Sequence, residues 1–185
     1  NQRSKRPWTH LIEVLEILDT IPDDRLEAEL NPRFAIDNML WMIALENVFM
    51  DNDSFLRKGY DYFIYEDPQT DRLHLIQHDG NEAFGTGRVG QWPDKELTRF
   101  DPFFQADNPY FQLVHRVLNI PRLRERYLAH VRVLIEDWLQ WEEVLEPKVT
   151  ELQQRIQPMV KASTNLIHPY GQFTQNVGFD WQYTT

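Results

Sequence analysis

The sequence has no cysteine among its 185 residues. That excludes disulfides, zinc sites built on thiolates and a thiol nucleophile, and it leaves the compartment open. No apolar run approaches the ~18 residues of a membrane span. The basic start, Asn1 to Arg6, is not followed by the roughly 7–15-residue apolar stretch of a secretory leader. Positive charge is scarce: 19 basic against 29 acidic residues give a formal net charge of −10. Such a surface repels nucleic-acid phosphates at long range, so DNA and RNA are disfavoured as partners and none is expected. Acidic small substrates would need a metal or a local basic patch. There is no internal repeat and no low-complexity segment.

What is present is an ordinary globular composition. The chain is 42% hydrophobic and 26% charged, which fits one soluble domain spanning 1–185. Aromatics reach 13%, with 6 Trp, enough for a well-filled core. Trp8, Leu11, Ile12, Leu15 and Leu18 recur at spacings of three and four, the mark of an amphipathic helix. Asp23-Asp24 opens a short acidic helix ending at Leu30. Asn31-Pro32 reads as the cap and first turn of the next helix, running to about Met50. Its apolar residues cover much of the circumference, so it is expected to be the buried central helix. Asp51-Asn52-Asp53-Ser54 ends it. Tyr60–Glu66 and Leu73–His78 read as strands around the turn cluster Asp67–Asp71, together a β-hairpin. Asp79–Gly90 is a glycine-bearing loop, and Gln91–Asn108 is irregular. Pro109–Asn119 and a segment from Pro121 to Trp138 are helical. Pro147 restarts a helix with Leu145, Val149, Leu152, Ile156 and Met159 in one stripe. The fold class is α+β, mainly helical, with one central hairpin.

Acidic and amide residues gather around that hairpin: Asp51, Asp53, Asp61, Asp79 and Asn81. Hard cations take several oxygen ligands, usually from separate loops. A hairpin brings its outer ends together, so these side chains are placed to converge. The competing reading is that Asp and Asn populate turns and caps. An EF-hand is rejected, because Phe55, Leu56 and Tyr62 occupy the positions that need an oxygen ligand, Gly and Glu. Gly85-x-Gly87-x-x-Gly90 matches the dinucleotide fingerprint as a string, but Gln91-Trp92-Pro93 follows where a helix is required. His74 and His78 would stand about 13 Å apart on a strand, too far to share a metal. No Gly-x-Ser-x-Gly elbow supports a serine hydrolase.

The order of these residues resembles the CotH kinase family, the spore-coat protein H-like atypical kinases. Ala35–Leu40 through Asn47 resembles a family helix, and Asn52-Asp53-Ser54 resembles its "nwDs" string. Tyr60–Tyr65 resembles "hNyylY", and Leu75–Gly85 resembles "iPwDlDwaFG". Leu113–Tyr127 resembles its paired helices, so the likeness covers most of residues 8–177.

The resemblance implies a protein-kinase-like C-terminal lobe that binds ATP and a divalent cation, Mg²⁺ or another such as Mn²⁺ or Ca²⁺. It implies phosphorylation of Ser or Thr on protein partners. By the same likeness, Asp53 takes the catalytic acid position. Asp79 takes the first carboxylate of an Asp-x-Asp motif, and Asn81 stands at the second. Asp61 stands where the family commonly has Asn as a metal ligand. Asp79, Asn81 and Asp61 are thus the expected metal and nucleotide ligands. The two exchanges, Asp for Asn at 61 and Asn for Asp at 81, conserve total charge. A kinase N-lobe needs a phosphate-contacting Lys on a strand, and the only early lysine is Lys5, outside any strand pattern. The expectation is therefore the C-lobe portion of a longer protein, with the N-lobe absent. The family also implies an extracellular, cell-surface or spore-surface location. Two functions stay open: an enzyme, or a catalytically inactive module that binds surface-assembly partners.

Overall fold

The first helix, α1 (Thr9–Thr20), buries Val14 and Leu18, the inward residues of the amphipathic stripe. It is followed by α2 (Asp23–Leu30), which buries Leu26 and Leu30. The computed structural model describes residues 8–85 and 101–175. The second and third glycines of the 85–90 string, most of the 91–108 segment and the chain end after Gln175 lie outside them.

The next helix does not open at Asn31-Pro32. Residues 31–33 form a turn, and α3 runs Ile36–Val48. The cause is tertiary. Phe34 makes a parallel bridge to Leu73, with Leu73 N–H donating to Arg33 O (2.8 Å) and Ala35 N–H to Leu73 O (2.9 Å). Those bonds pin residues 33–35 against Leu73, so the helix starts only after them. As its composition demands, α3 is buried on most sides: Ile36, Met39, Leu40, Met42, Ile43 and Ala44 all lie in the core. The short helix α4 (Phe55–Lys58) was not foreseen. Ser54 caps it, and Gly59 closes it in the left-handed conformation (φ 75°) that suits glycine.

The hairpin is present as β1 (Tyr62–Asp67) and β2 (Arg72–Gln77), antiparallel, with Tyr62 opposite Gln77 and Asp67 opposite Arg72. Side chains alternate between its faces. Leu73 and Leu75 are buried toward the core, whereas Phe63, Tyr65 and Ile76 are exposed on the other face. Asp67 closes the turn by accepting from Gln69 N–H and the Thr70 hydroxyl.

Two helices complete this part of the core. α5 (Gln112–Leu118) buries Val114, Val117 and Leu118, and α6 (Pro121–Val133) buries Leu123 and Tyr127. The Arg116 guanidinium on α5 binds Leu18 O, Ile21 O and Asp23, tying α5 to the α1–α2 junction. Asn47 near the end of α3 donates to Pro102 O (2.7 Å) and the Tyr127 hydroxyl (2.8 Å). Burial of that hydroxyl pushes its pKa up to about 12.

The chain divides into two compact units, 1–132 and 133–185. The second holds two π-helical turns (Leu134–Trp138 and Trp141–Leu145), α7 (Glu146–Ala162) and α8 (Tyr170–Gln175). The single helical face expected from Leu123 to Trp138 therefore breaks at Leu134. Pro147 does begin α7, but Leu152, Ile156 and Met159 of its stripe are exposed. Gln153 and Gln157 on α7 donate to Phe173 O and the Tyr170 hydroxyl, both at 2.7 Å. Among the described residues, no helix is long and apolar enough to cross a membrane.

Candidate active site

Three segments meet at the open end of the hairpin. The first follows α3. Although its sequence is polar, Asp51, Asn52 and Ser54 are each at most 2% exposed. Buried polar groups need partners, and here they come from several directions. The Asp51 carboxylate accepts from its own loop at Asp53 N–H (3.2 Å) and from Gln77 Nε2 at the end of β2 (2.6 Å). Ser54 Oγ donates to Asp51 O (2.9 Å). Asn52 pairs twice with Glu82: its N–H to the backbone oxygen (3.2 Å) and its Nδ2 to Oε2 (2.9 Å). Phe84 N–H donates back to Phe49 O (2.6 Å). The loop carrying Asp53 is thus stitched to the segment that follows Asp79.

The second and third segments flank the hairpin. Asp61 precedes β1 and Asp79 follows β2 by two residues. His78 N–H donates to Asp61 O (3.1 Å), extending the ladder one step past Tyr62 and Gln77. Both Asp61 (φ 58°) and Asp79 (φ 56°) adopt left-handed backbone. Asp tolerates that region better than most residues, yet it is costly, and such strain gathers at functional sites. Asp79 and Asn81 are exposed, and Asn81 N–H donates to Asp79 Oδ1 (3.3 Å).

The carboxylates sense one another. Asp53 sits below the usual range, chiefly because Lys58 donates to it, with help from the Tyr60 hydroxyl and Asp61. Lys58 in turn is pushed up to about 12 by Asp53 and lies 5.3 Å from the centre of the Tyr60 ring. Asp61 is raised, first by desolvation, then by the charge of Asp53 and its hydrogen bond, with Asp79 adding to the repulsion and His78 opposing it. Asp51 is raised as well, because burial outweighs the hydrogen bonds it accepts. Lys58 also lines an apolar groove of about 380 Å³ between α1, the hairpin and the start of α5.

The structure thus brings Asp61 within electrostatic reach of both Asp53 and Asp79 and places Asn81 in the same exposed turn as Asp79. Their donor set is oxygen only, the chemistry that Mg²⁺, Mn²⁺ or Ca²⁺ takes. Their carboxylate oxygens do not all lie within 4.8 Å of one another. Among the described residues, the set with three metal-type ligand atoms mutually within 4.8 Å is a different one, His10, Glu66 and Asp71, where α1 meets the hairpin turn.

Sequence reasoning passed over four residues that build this place. Gln77, Glu82 and Lys58 hold the loops together. Glu46 on α3 is 1% exposed, and its carboxyl is raised to about 7, chiefly by burial. Lys58 carried a readable signal, a cation five residues from Asp53. Glu46, a charged residue within an apolar helix, was also visible as an exception.

A family model described as CotH kinase protein matches residues 1–179. The chain belongs to the CotH kinase family. No curated protein matches it. As a CotH domain it has a kinase-family function at the coarse level. Of its CotH-like segments, Asn52-Asp53-Ser54 is the loop whose Asn52 and Ser54 are buried. The one carrying Asp79 and Asn81 is the exposed turn opposite.

Proposed function

We propose that this CotH domain is a kinase-like phosphotransferase lobe, moving phosphate from ATP to Ser or Thr of a protein partner. The observation that carries the reading is the coupling of Asp61 to Asp53 on one side and to Asp79 on the other, with Asp61 and Asp79 both in left-handed backbone. Phosphoryl transfer asks a protein mainly for positioning and charge neutralisation, and each residue suits one of those tasks. Asp53 is held ionised by Lys58, so it is ready to accept a hydroxyl proton. Lys58 balances that charge and offers a cation beside the transferred group. Asp79, Asp61 and the Asn81 amide oxygen would hold a divalent cation, which when bound neutralises phosphate oxygens. Exposure of Asp79 and Asn81 leaves them open to a nucleotide. A location at the cell or spore surface belongs to the same reading.

Calorimetry of ATP binding with and without Mg²⁺ tests it. Binding that needs the metal and is lost in Asp79→Ala is expected. Absence of binding under any divalent cation would contradict the reading.

A second reading has its own observation. Asp79 Oδ1 is occupied by its own turn, and the outer hairpin face exposes Phe63, Tyr65 and Ile76. These favour an inactive module that binds a surface-assembly partner. It predicts normal partner binding in Asp53→Asn and Asp79→Asn.

A further inference from the structure

One residue of the central helix touches both ends of the segment that carries Asp53. The backbone oxygen of Glu46 accepts from Asp51 N–H (2.9 Å). Its carboxyl Oε2 accepts from Leu56 N–H (2.8 Å), and the Phe55 N–H also favours its charge. These N–H groups belong to the first turn of α4, where a helix has donors without intrahelical partners. Ser54 Oγ takes the Arg57 N–H, so Ser54 and Glu46 divide the turn between them. Asp53 lies inside this bracket, and Lys58, its ion partner, lies at the far end of the same short helix.

A carboxyl is a costly way to fill a core. Glu46 is 1% exposed, and its Oε1 is buried without a hydrogen-bond partner. A buried acceptor of that kind destabilises the fold unless what it holds compensates. We propose that Glu46 is the positioning residue for Asp53, clamping residues 51–56 to α3 and so fixing where Asp53 meets Lys58. The assignment rests on the reading of Asp53 as the group that faces the substrate hydroxyl, but on no particular nucleotide.

The clamp has a signature that simple core filling lacks. Burial raises Glu46 to about 7, and the charge that adds to this effect is that of Asp51 across the loop. The cations carried by α4 are Arg57 and Lys58. A pH titration near neutrality should therefore be felt at both anchored ends.

The test is amide NMR of the whole chain between pH 5 and 9, for the natural protein, Glu46→Gln and Glu46→Ala, beside kinase assays. In the natural protein the Leu56 and Asp53 amide signals should move together with a midpoint near 7. Glu46→Gln keeps an acceptor for Leu56 N–H, so it should abolish that titration and retain most of kcat. Glu46→Ala should displace the Asp53 signal and lower kcat at least about tenfold, with KM for ATP little changed. Should Glu46→Ala fail to fold, the natural protein and Glu46→Gln still decide. A titration near 7 that persists in Glu46→Gln overturns the proposal, as does one that moves Leu56 and leaves Asp53 still. If no nucleotide binds yet Leu56 and Asp53 titrate together through Glu46, the clamp stands and the kinase reading falls.

Discussion

Residues 51–54 and residues 79–81 face each other at the open end of the hairpin, but they are built in opposite ways. In the first loop Asp51, Asn52 and Ser54 are buried and tied to α3, to β2 and to Glu82, while the Asp53 side chain between them stays partly open. The second is exposed, and Asp79 Oδ1 is held by its own turn. The difference separates two requirements. On the proposed reading, Asp53 accepts a proton and works through fixed placement, which its buried neighbours supply. On the same reading, Asp79 and Asn81 would hold a hydrated cation, which needs access and some freedom, and an exposed turn provides both.

The largest effect expected from this contrast is on chemistry. Asp53→Asn should lower kcat by ~10²–10⁴, the usual worth of a positioned acid or base, with the thermal midpoint nearly unchanged. A kinase assay beside a melting curve checks it. An undiminished rate would remove Asp53 from the mechanism.

A second effect is on stability and comes from beneath the buried loop. Burial raises the Glu46 carboxyl to about 7 when folded, against its ordinary 4.5. The folded state then keeps a proton that the unfolded state releases between those values. Stability must fall as pH rises through that window, by up to about 3 kcal/mol if the full shift counts. Glu46→Gln should flatten this slope, seen in urea melts at pH 5 and pH 8. An unchanged slope would mean that another group carries it.

Smaller again is the tie between the buried loop and the strand. Gln77→Ala removes the donor to Asp51 and should cost about 1–2 kcal/mol. Asp79→Asn, in the exposed turn, should stay within about 0.5 kcal/mol of the natural protein. Equal effects in denaturant melts would erase the contrast between the loops.

Much of this architecture could be read from residue order. The hairpin stood out because β-formers and aromatics flank an Asp- and Pro-bearing turn, and the observed strands lie within two residues of the expected ones. The burial of α3 followed from apolar residues around most of its circumference. The start of α3 did not follow, because Asn31-Pro32 is a sound local cap overridden by bonds from residues 33–35 to Leu73, some forty positions away. The break at Leu134 was hidden because Leu134 and Trp138 stand four apart, a spacing that an α-helix shares. That Asp61 stands near both Asp53 and Asp79 was legible from hairpin geometry. The burial of Asp51 and Asn52 was not, since a polar run after a helix ordinarily marks solvent, and only Gln77 and Glu82, distant in sequence, make burial affordable.

The central claim is that the two loops and Asp61 form one cation-dependent site. Paramagnetic broadening of amide signals by Mn²⁺ in the presence of ATP tests it most directly. The account predicts that Asp53, Asp61, Asp79 and Asn81 broaden together at low metal, while His10, Glu66 and Asp71 keep their intensity. Broadening centred on His10, Glu66 and Asp71, or confined to 79–81 with Asp53 and Asp61 untouched, would contradict it.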